Sequence, residues 1–178
     1  AIVLVIISMS VTSGNRIAEV LNEESSLHNP DNAITEVKDG SISFNDVSFS
    51  YKDESGKYCL TDIRLHIPSG STIGILGGTG SSKTTLVQLI PRLYDASKGS
   101  VEVGGIDVRK YDLDALRNSV AMVLQKNTLF SGTITENMRW GNPDATLEEI
   151  KDACVQAQAA PFIESFPDGY DTYIEQGG

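Results

Sequence analysis

The stretch GILGGTGSSKTT, residues 74–85, combines glycines, one lysine and paired threonines in an order suited to holding phosphate. A phosphate group carries charge that several donors must match at once. A tight glycine turn lets backbone N–H groups converge with no side chains in the way. A helix that begins at the end of the turn adds the positive end of its dipole. The lysine neutralises the outer phosphates, and the hydroxyl after it ligates Mg²⁺. Against the template G-x-x-x-x-G-K-[ST], Gly77 opens the motif, Gly80 adds freedom in the middle, and Lys83 and Thr84 close it. Gly78, Thr79, Ser81, Ser82 and Thr85 complete the candidate phosphate-binding set.

Ser82 departs from the template, which has glycine before the lysine. If the backbone there needs a left-handed angle, a Cβ costs about 1 kcal/mol or somewhat more. If it needs only close approach to phosphate, the hydroxymethyl group crowds the ligand or donates to it. Both alternatives stand at this level, and the expectation is that Ser82→Gly tightens ATP binding. A glycine-rich strand-to-helix turn that binds nothing would use similar residues. The apolar STIGIL before the loop and the helical spacing of Leu86, Leu89, Ile90 and Leu93 after it favour the phosphate reading.

The elements that must position this loop follow from periodicity. ISF and VSFSY alternate, placing Val47, Phe49 and Tyr51 on one side of a strand, and DIRLHI repeats the pattern through Ile63, Leu65 and Ile67. KDESGK, residues 52–57, and PSG, residues 68–70, are turns. STIGIL, SVEV and VAMVLQ read as further strands, and Pro91 should kink or shorten the helix after the loop because it lacks a donor. Thr146 and Glu149 form a capping box ahead of a helix whose apolar face is Ile150, Ala153, Cys154 and Ala157. Residues 13–24 read as a helix with Ile17, Val20 and Leu21 on one face, and residues 25–40 as a polar linker. Strands mixed with helices predict an α/β domain.

Composition narrows the function. The chain has 178 residues, 40% of them hydrophobic, and a formal charge of −10, which disfavours nucleic acid as a partner. Cys59 and Cys154 are too far apart for a metal-binding pair and read as reduced thiols; His28 and His66 are isolated. AIVLVIISMSV, residues 1–11, is too short to span a bilayer and lacks the basic start of a signal peptide. It is a buried core segment or the last turns of a transmembrane helix; the missing initiator Met and the polar linker that follows favour the second.

Several motifs, in order, resemble one family. FSY at residues 49–51, the loop, and VLQKNTLFSGTITEN from Val123 look like the nucleotide-binding domain of an ABC transporter. RIAEVLNEES, GSISFNDVSFSY, LIPRLYD, GGIDVR and FPDGYDTYIEQGG resemble exporters whose membrane helices are fused ahead of the ATPase. The resemblance covers essentially the whole chain. It implies a P-loop NTPase (RecA-like) core with an antiparallel β subdomain and the start of a helical subdomain. It implies ATP and Mg²⁺ as cofactors, with Tyr51 stacking on adenine, the loop from Gly77 to Thr85 on the phosphates, Thr84 and Gln125 at the metal, and Gln125 assisting catalysis. NTLFSGTITEN, residues 127–137, would face the membrane part, although an ordinary surface loop with Phe130 packed inward fits the same letters.

The same resemblance implies features that the sequence does not contain: an LSGGQ-type signature, an acidic strand, a catalytic glutamate and a switch histidine. The expected organisation is therefore a fragment. Residues 1–24 would end the last transmembrane helix and extend it into the cytosol, residues 25–40 would link, and residues 41–178 would be the N-terminal part of the ATP-binding domain. A second ABC ATP-binding domain would close over ATP, and the parent would sit at the cytoplasmic face of the cell membrane, anchored through its N-terminal part. The leading expectation is the ATP-binding portion of an exporter, inactive alone. The alternative is a non-hydrolysing, degenerate-site subunit of a heterodimeric exporter, to which Ser82 gives weight. A soluble ABC ATPase of DNA repair or translation is disfavoured by residues 1–11 and the acidic charge. An unrelated phosphate-loop kinase or GTPase is disfavoured by Tyr51 and the glutamine strand.

Overall fold

The computed structural model describes residues 2–52 and 57–177. The turn expected at residues 52–57 therefore falls mostly outside the described residues. The chain divides into two compact units, residues 1–121 and 122–178.

The first unit is built on an antiparallel sheet. β1 (Ile42–Phe49), β2 (Leu60–Ile67), β3 (Lys98–Val103) and β4 (Ile106–Asp107) lie in the order β2-β1-β3-β4. The alternation seen in the sequence sets the register: Phe44 pairs with Leu65 on one side and Val101 on the other. A side-chain period of two then sends Phe44 and Val101 to the same buried face. Both ladders of β1 shift register around Asp46, which takes φ 51. Gly99 makes room for that bulge, because a Cβ on it would lie 2.3 Å from the Asn45 carbonyl oxygen. Phe44, Val47, Phe49, Leu60, Leu89, Val101, Val103, Val108, Tyr111 and Leu116 form the core.

The helix after the loop, α2 (Lys83–Gln88), has six residues and stops ahead of Pro91, as its missing donor requires. The chain then turns through Arg92 (φ 50), whose buried guanidinium holds Asp95 through two nitrogens at 2.8 and 3.1 Å and donates to the His28 carbonyl at 3.2 Å. α3 (Leu113–Asn118) is capped by Asp112, which accepts from the Ala115 amide.

The N-terminal helix, α1 (Ile2–Leu21), starts well before the expected Ser13, and its Ile17, Val20 and Leu21 are exposed. No helix among the described residues is long and apolar enough to cross a membrane. Residues 25–40 are polar and non-helical, yet firmly tied. Ile34 bridges Tyr111, and Asn29 donates to Asp112 and accepts from the Leu113 amide at 2.9 Å.

Two expected strands do not form. Residues 71–76 and 120–125 are irregular chain with no strand partner among the described residues, and Leu76 and Val123 are 96% and 91% exposed. A strand is stable only where a neighbour satisfies its N–H and C=O groups, and neither segment has one.

In the second unit, β5 (Gly132–Thr133) pairs with β6 (Tyr173–Ile174). α4 (Ile134–Arg139), α5 (Leu147–Gln156) and α6 (Ala160–Glu164) pack around Ile134, Ile150, Cys154, Ala160, Ile163 and Tyr170. The expected capping box at Thr146 and Glu149 is present, and a second at Thr133 and Glu136 starts α4. On α5 only Ile150 and Cys154 bury; Ala153 and Ala157 are exposed, because the face turned inward is narrower than the alanines suggested.

Candidate functional site

The candidate phosphate loop joins the irregular residues 71–76 to α2. Gly80 takes φ +81, a conformation that L side chains rarely adopt. Ser82, at the N-cap of α2, takes φ 61 and ψ 25, and its hydroxyl makes no capping bond. Of the two alternatives the sequence left open, the backbone adopts the left-handed one. A serine held there is strained by roughly 1–2 kcal/mol relative to glycine.

Lys83 curls back over the loop. Its ammonium donates to the carbonyl oxygens of Gly77 at 2.7 Å and Gly78 at 2.8 Å, and to Ser81 Oγ at 3.2 Å. Ser81 Oγ in turn donates to the Gly78 carbonyl at 2.9 Å. An ammonium has three protons, so these three neutral acceptors satisfy it without any anion. Phosphate oxygens would add the attraction of opposite charges to the ammonium's hydrogen bonds, which its present neutral acceptors do not supply.

Tyr51 stands just past the end of β1, and its hydroxyl meets Thr85 Oγ1 at 2.9 Å and donates to Gln88 Oε1 at 3.4 Å. Thr85 and Gln88 lie on α2, so the tyrosine and the lysine are gathered around one short helix. The ring is 54% exposed and lies perpendicular to two neighbours. Phe49 is 4.9 Å away at 81°, and Tyr94 is 5.1 Å away at 89°. An open cleft of about 780 Å³ adjoins it, lined among others by Tyr51, Tyr94, Glu24 and Leu27.

Thr79 and Thr84 are exposed, and the Thr84 hydroxyl makes no hydrogen bond among the described residues. Gln125 belongs to the second unit, where it is exposed on a bend. In the 127–137 segment, Asn137 both accepts from the Phe130 amide and donates to the Phe130 carbonyl, each at 2.9 Å. Phe130 is exposed rather than packed inward, and its ring lies 4.8 Å from that of Trp140.

The residues present fit a magnesium nucleotide. The loop offers a lysine ammonium whose present partners are replaceable neutral oxygens, and a free hydroxyl on the next residue. No cluster of three His, Cys, Asp or Glu residues able to hold a metal exists among the described residues. That donor set suits Mg²⁺ arriving with phosphate oxygens and water rather than a resident metal cage.

Comparison with known proteins gives the family. The family model described as "ABC transporter" matches residues 60–172, more than half of the chain. The chain belongs to the ABC transporter family. An uncharacterized ABC transporter ATP-binding protein, YknV of Bacillus subtilis, is 42% identical over 96% of this chain and 28% of its own length. The ATP-dependent lipid A-core flippase of Desulfotalea psychrophila is 44% identical over 78% of this chain and 24% of its own. A structure of a bacterial Atm1-family ABC exporter with ATP bound matches with a TM-score of 0.86 and 26% identity, covering 96% of this chain and 30% of that one. This ABC chain thus spans less than a third of the length of the relatives it matches. Its fold is that of an ABC ATPase domain, a mixed α/β P-loop NTPase with an antiparallel sheet.

Two features of the candidate site lay beyond sequence reasoning. The Tyr51–Thr85 hydroxyl contact joins residues 34 positions apart, with no pattern to announce it. Tyr94 follows the helical spacing of Leu86, Leu89, Ile90 and Leu93 and lies past Pro91, so that period does not aim it at Tyr51.

Proposed function

We propose that this chain binds Mg-ATP and is the ATP-binding portion of an ABC-type exporter, in which binding and hydrolysis drive a substrate across a membrane. The single observation that carries the reading is the grouping of Tyr51 and Lys83 about α2, a stacking surface tied to Thr85 and Gln88 and a cation on the first residue of the same helix. In this reading Tyr51 offers its ring to the adenine, with roughly 0.5–1.5 kcal/mol beyond area burial. Gly77, Gly78, Thr79, Gly80, Ser81, Ser82 and Thr85 line the phosphates. The Lys83 ammonium leaves the Gly77 and Gly78 carbonyls for phosphate oxygens. Thr84 would hold Mg²⁺, which would supply charge neutralisation along the triphosphate.

Residues 127–137 would face the exporter's own transmembrane domain, a role that the exposed Phe130 and Trp140 and the loop pinned by Asn137 support. Residues 1–24 would continue from the last transmembrane helix at the cytoplasmic face of the membrane, and a second ABC ATP-binding domain would complete the ATP site. The strained Ser82 favours, as a second reading, a weakened nucleotide site of the kind found in one half of an asymmetric pair.

Titration calorimetry with Mg-ATP tests the proposal. Saturable binding is expected for this chain, with affinity reduced about 10-fold or more in Lys83→Ala, as loss of a charge-assisted bond requires. A folded chain that releases no heat with Mg-ATP overturns it. Phosphate release no greater than that of Lys83→Ala is expected as well, because the sequence holds none of the catalytic glutamate context that the family resemblance calls for.

A further inference from the structure

We propose that Tyr94 is a positioning residue for the base-binding ring of Tyr51, so that nucleotide affinity carries a base-dependent part set by Tyr94. The inference rests on the Mg-ATP reading above. An exposed tyrosine just past a strand end has free rotation about two bonds, and freezing them on binding weakens the complex. Here that freedom is already removed. The hydroxyl is held by Thr85 and Gln88, and the ring body by Phe49 and Tyr94, each nearly perpendicular to it. Two edge-to-face neighbours plus a fixed tip define the ring plane completely.

The three partners differ in what else they do. Phe49 is core, and Thr85 belongs to the phosphate loop. Tyr94 is 41% exposed, and its hydroxyl makes no hydrogen bond among the described residues. Its contribution is therefore the ring itself, placed 5.1 Å from Tyr51 and 5.5 Å from Phe49. The segment that carries it is locked. The Arg92–Asp95 pair brackets it in sequence, and Arg117 donates to the carbonyls of Pro91 and Arg92 at 3.3 and 3.0 Å. A rigid mount for a half-exposed aromatic ring with no polar partner of its own is the arrangement of a wall, and the surface it braces is Tyr51.

The test compares Mg-ATP with Mg-tripolyphosphate, which has the phosphates and lacks the base, on the 178-residue chain and its variants. Tyr94→Leu is expected to bind Mg-ATP about 2- to 12-fold more weakly, the equivalent of one aromatic pair, and to bind Mg-tripolyphosphate as the parent does. Tyr94→Phe is expected to match the parent with both ligands. In a Tyr51→Ala background, Tyr94→Leu is expected to have no further effect, since the ring it positions is gone. Unchanged Mg-ATP affinity in Tyr94→Leu overturns the inference. So does an equal loss for both ligands, which marks a merely structural role. Failure of the underlying reading is distinct: the parent would bind neither ligand, or Tyr51→Ala would bind Mg-ATP as well as the parent.

Discussion

β1 and the segment at residues 71–76 have similar credentials as strands, ISFNDVSF and STIGIL, and opposite fates. β1 lies between β2 and β3, with Phe44 and Val47 buried, whereas residues 71–76 are exposed and unpaired. The difference shows that apolar, β-branched sequence confers only eligibility. Hydrogen-bonded neighbours on both sides decide the outcome, because a buried backbone group without a partner is destabilising. It also places the candidate loop between an exposed approach and α2, with its own order supplied locally by Lys83 and Ser81.

The contrast can be broken most forcefully at its rigid side. Phe44→Ala is expected to destabilise the first unit by about 3–5 kcal/mol in a urea titration, as deletion of a buried aromatic ring does. A loss under about 1 kcal/mol would mean that the sheet is no better packed than the segment at residues 71–76. Next in size is Ser82→Gly, which removes a Cβ from a left-handed backbone and should raise stability by about 1 kcal/mol in the absence of nucleotide. A gain in Mg-ATP affinity with no gain in stability would instead assign the effect of Ser82 to crowding of the phosphates.

Thr146→Ala should weaken α5 by about 1 kcal/mol, read by thermal melting of the second unit, because the box satisfies donors of the first turn. The same box gives a pH dependence. The Thr146 backbone and side-chain hydrogen bonds hold the Glu149 carboxyl below its ordinary value of 4.5. A lowered folded-state value means that the contribution is full above about 4.5 and is lost as the pH falls through the folded value. Glu149→Gln should flatten that acid-side slope. The smallest expected effect lies on the loose side of the comparison: Leu76→Ser should change stability by less than about 0.5 kcal/mol, since its side chain touches little. A large loss there would show residues 71–76 to be packed after all.

Legibility followed the range of the interactions. The strands β1 and β2, the interruption of a helix at Pro91 and the capping box at Thr146 are local, and each was readable from spacing alone, whereas the bulge in β1 was not. The apolar faces traced on α5 and α1 are only partly used: Ile150 and Cys154 are buried, while Ala153, Ala157, Ile17, Val20 and Leu21 are exposed. Periodicity reports which residues could share a face and not whether anything packs against it.

The linear order of residues determined the chemistry available: a lysine and hydroxyls on a glycine turn, an aromatic ring upstream, and family membership through motifs in sequence. Tertiary structure alone decided that Ser82 is left-handed, that Lys83 rests on its own loop carbonyls, and that Tyr51 is braced by Thr85 and by Tyr94. The physical reason is that backbone handedness at one residue, and contacts between residues dozens of positions apart, depend on where folding brings distant segments together, which no local pattern encodes.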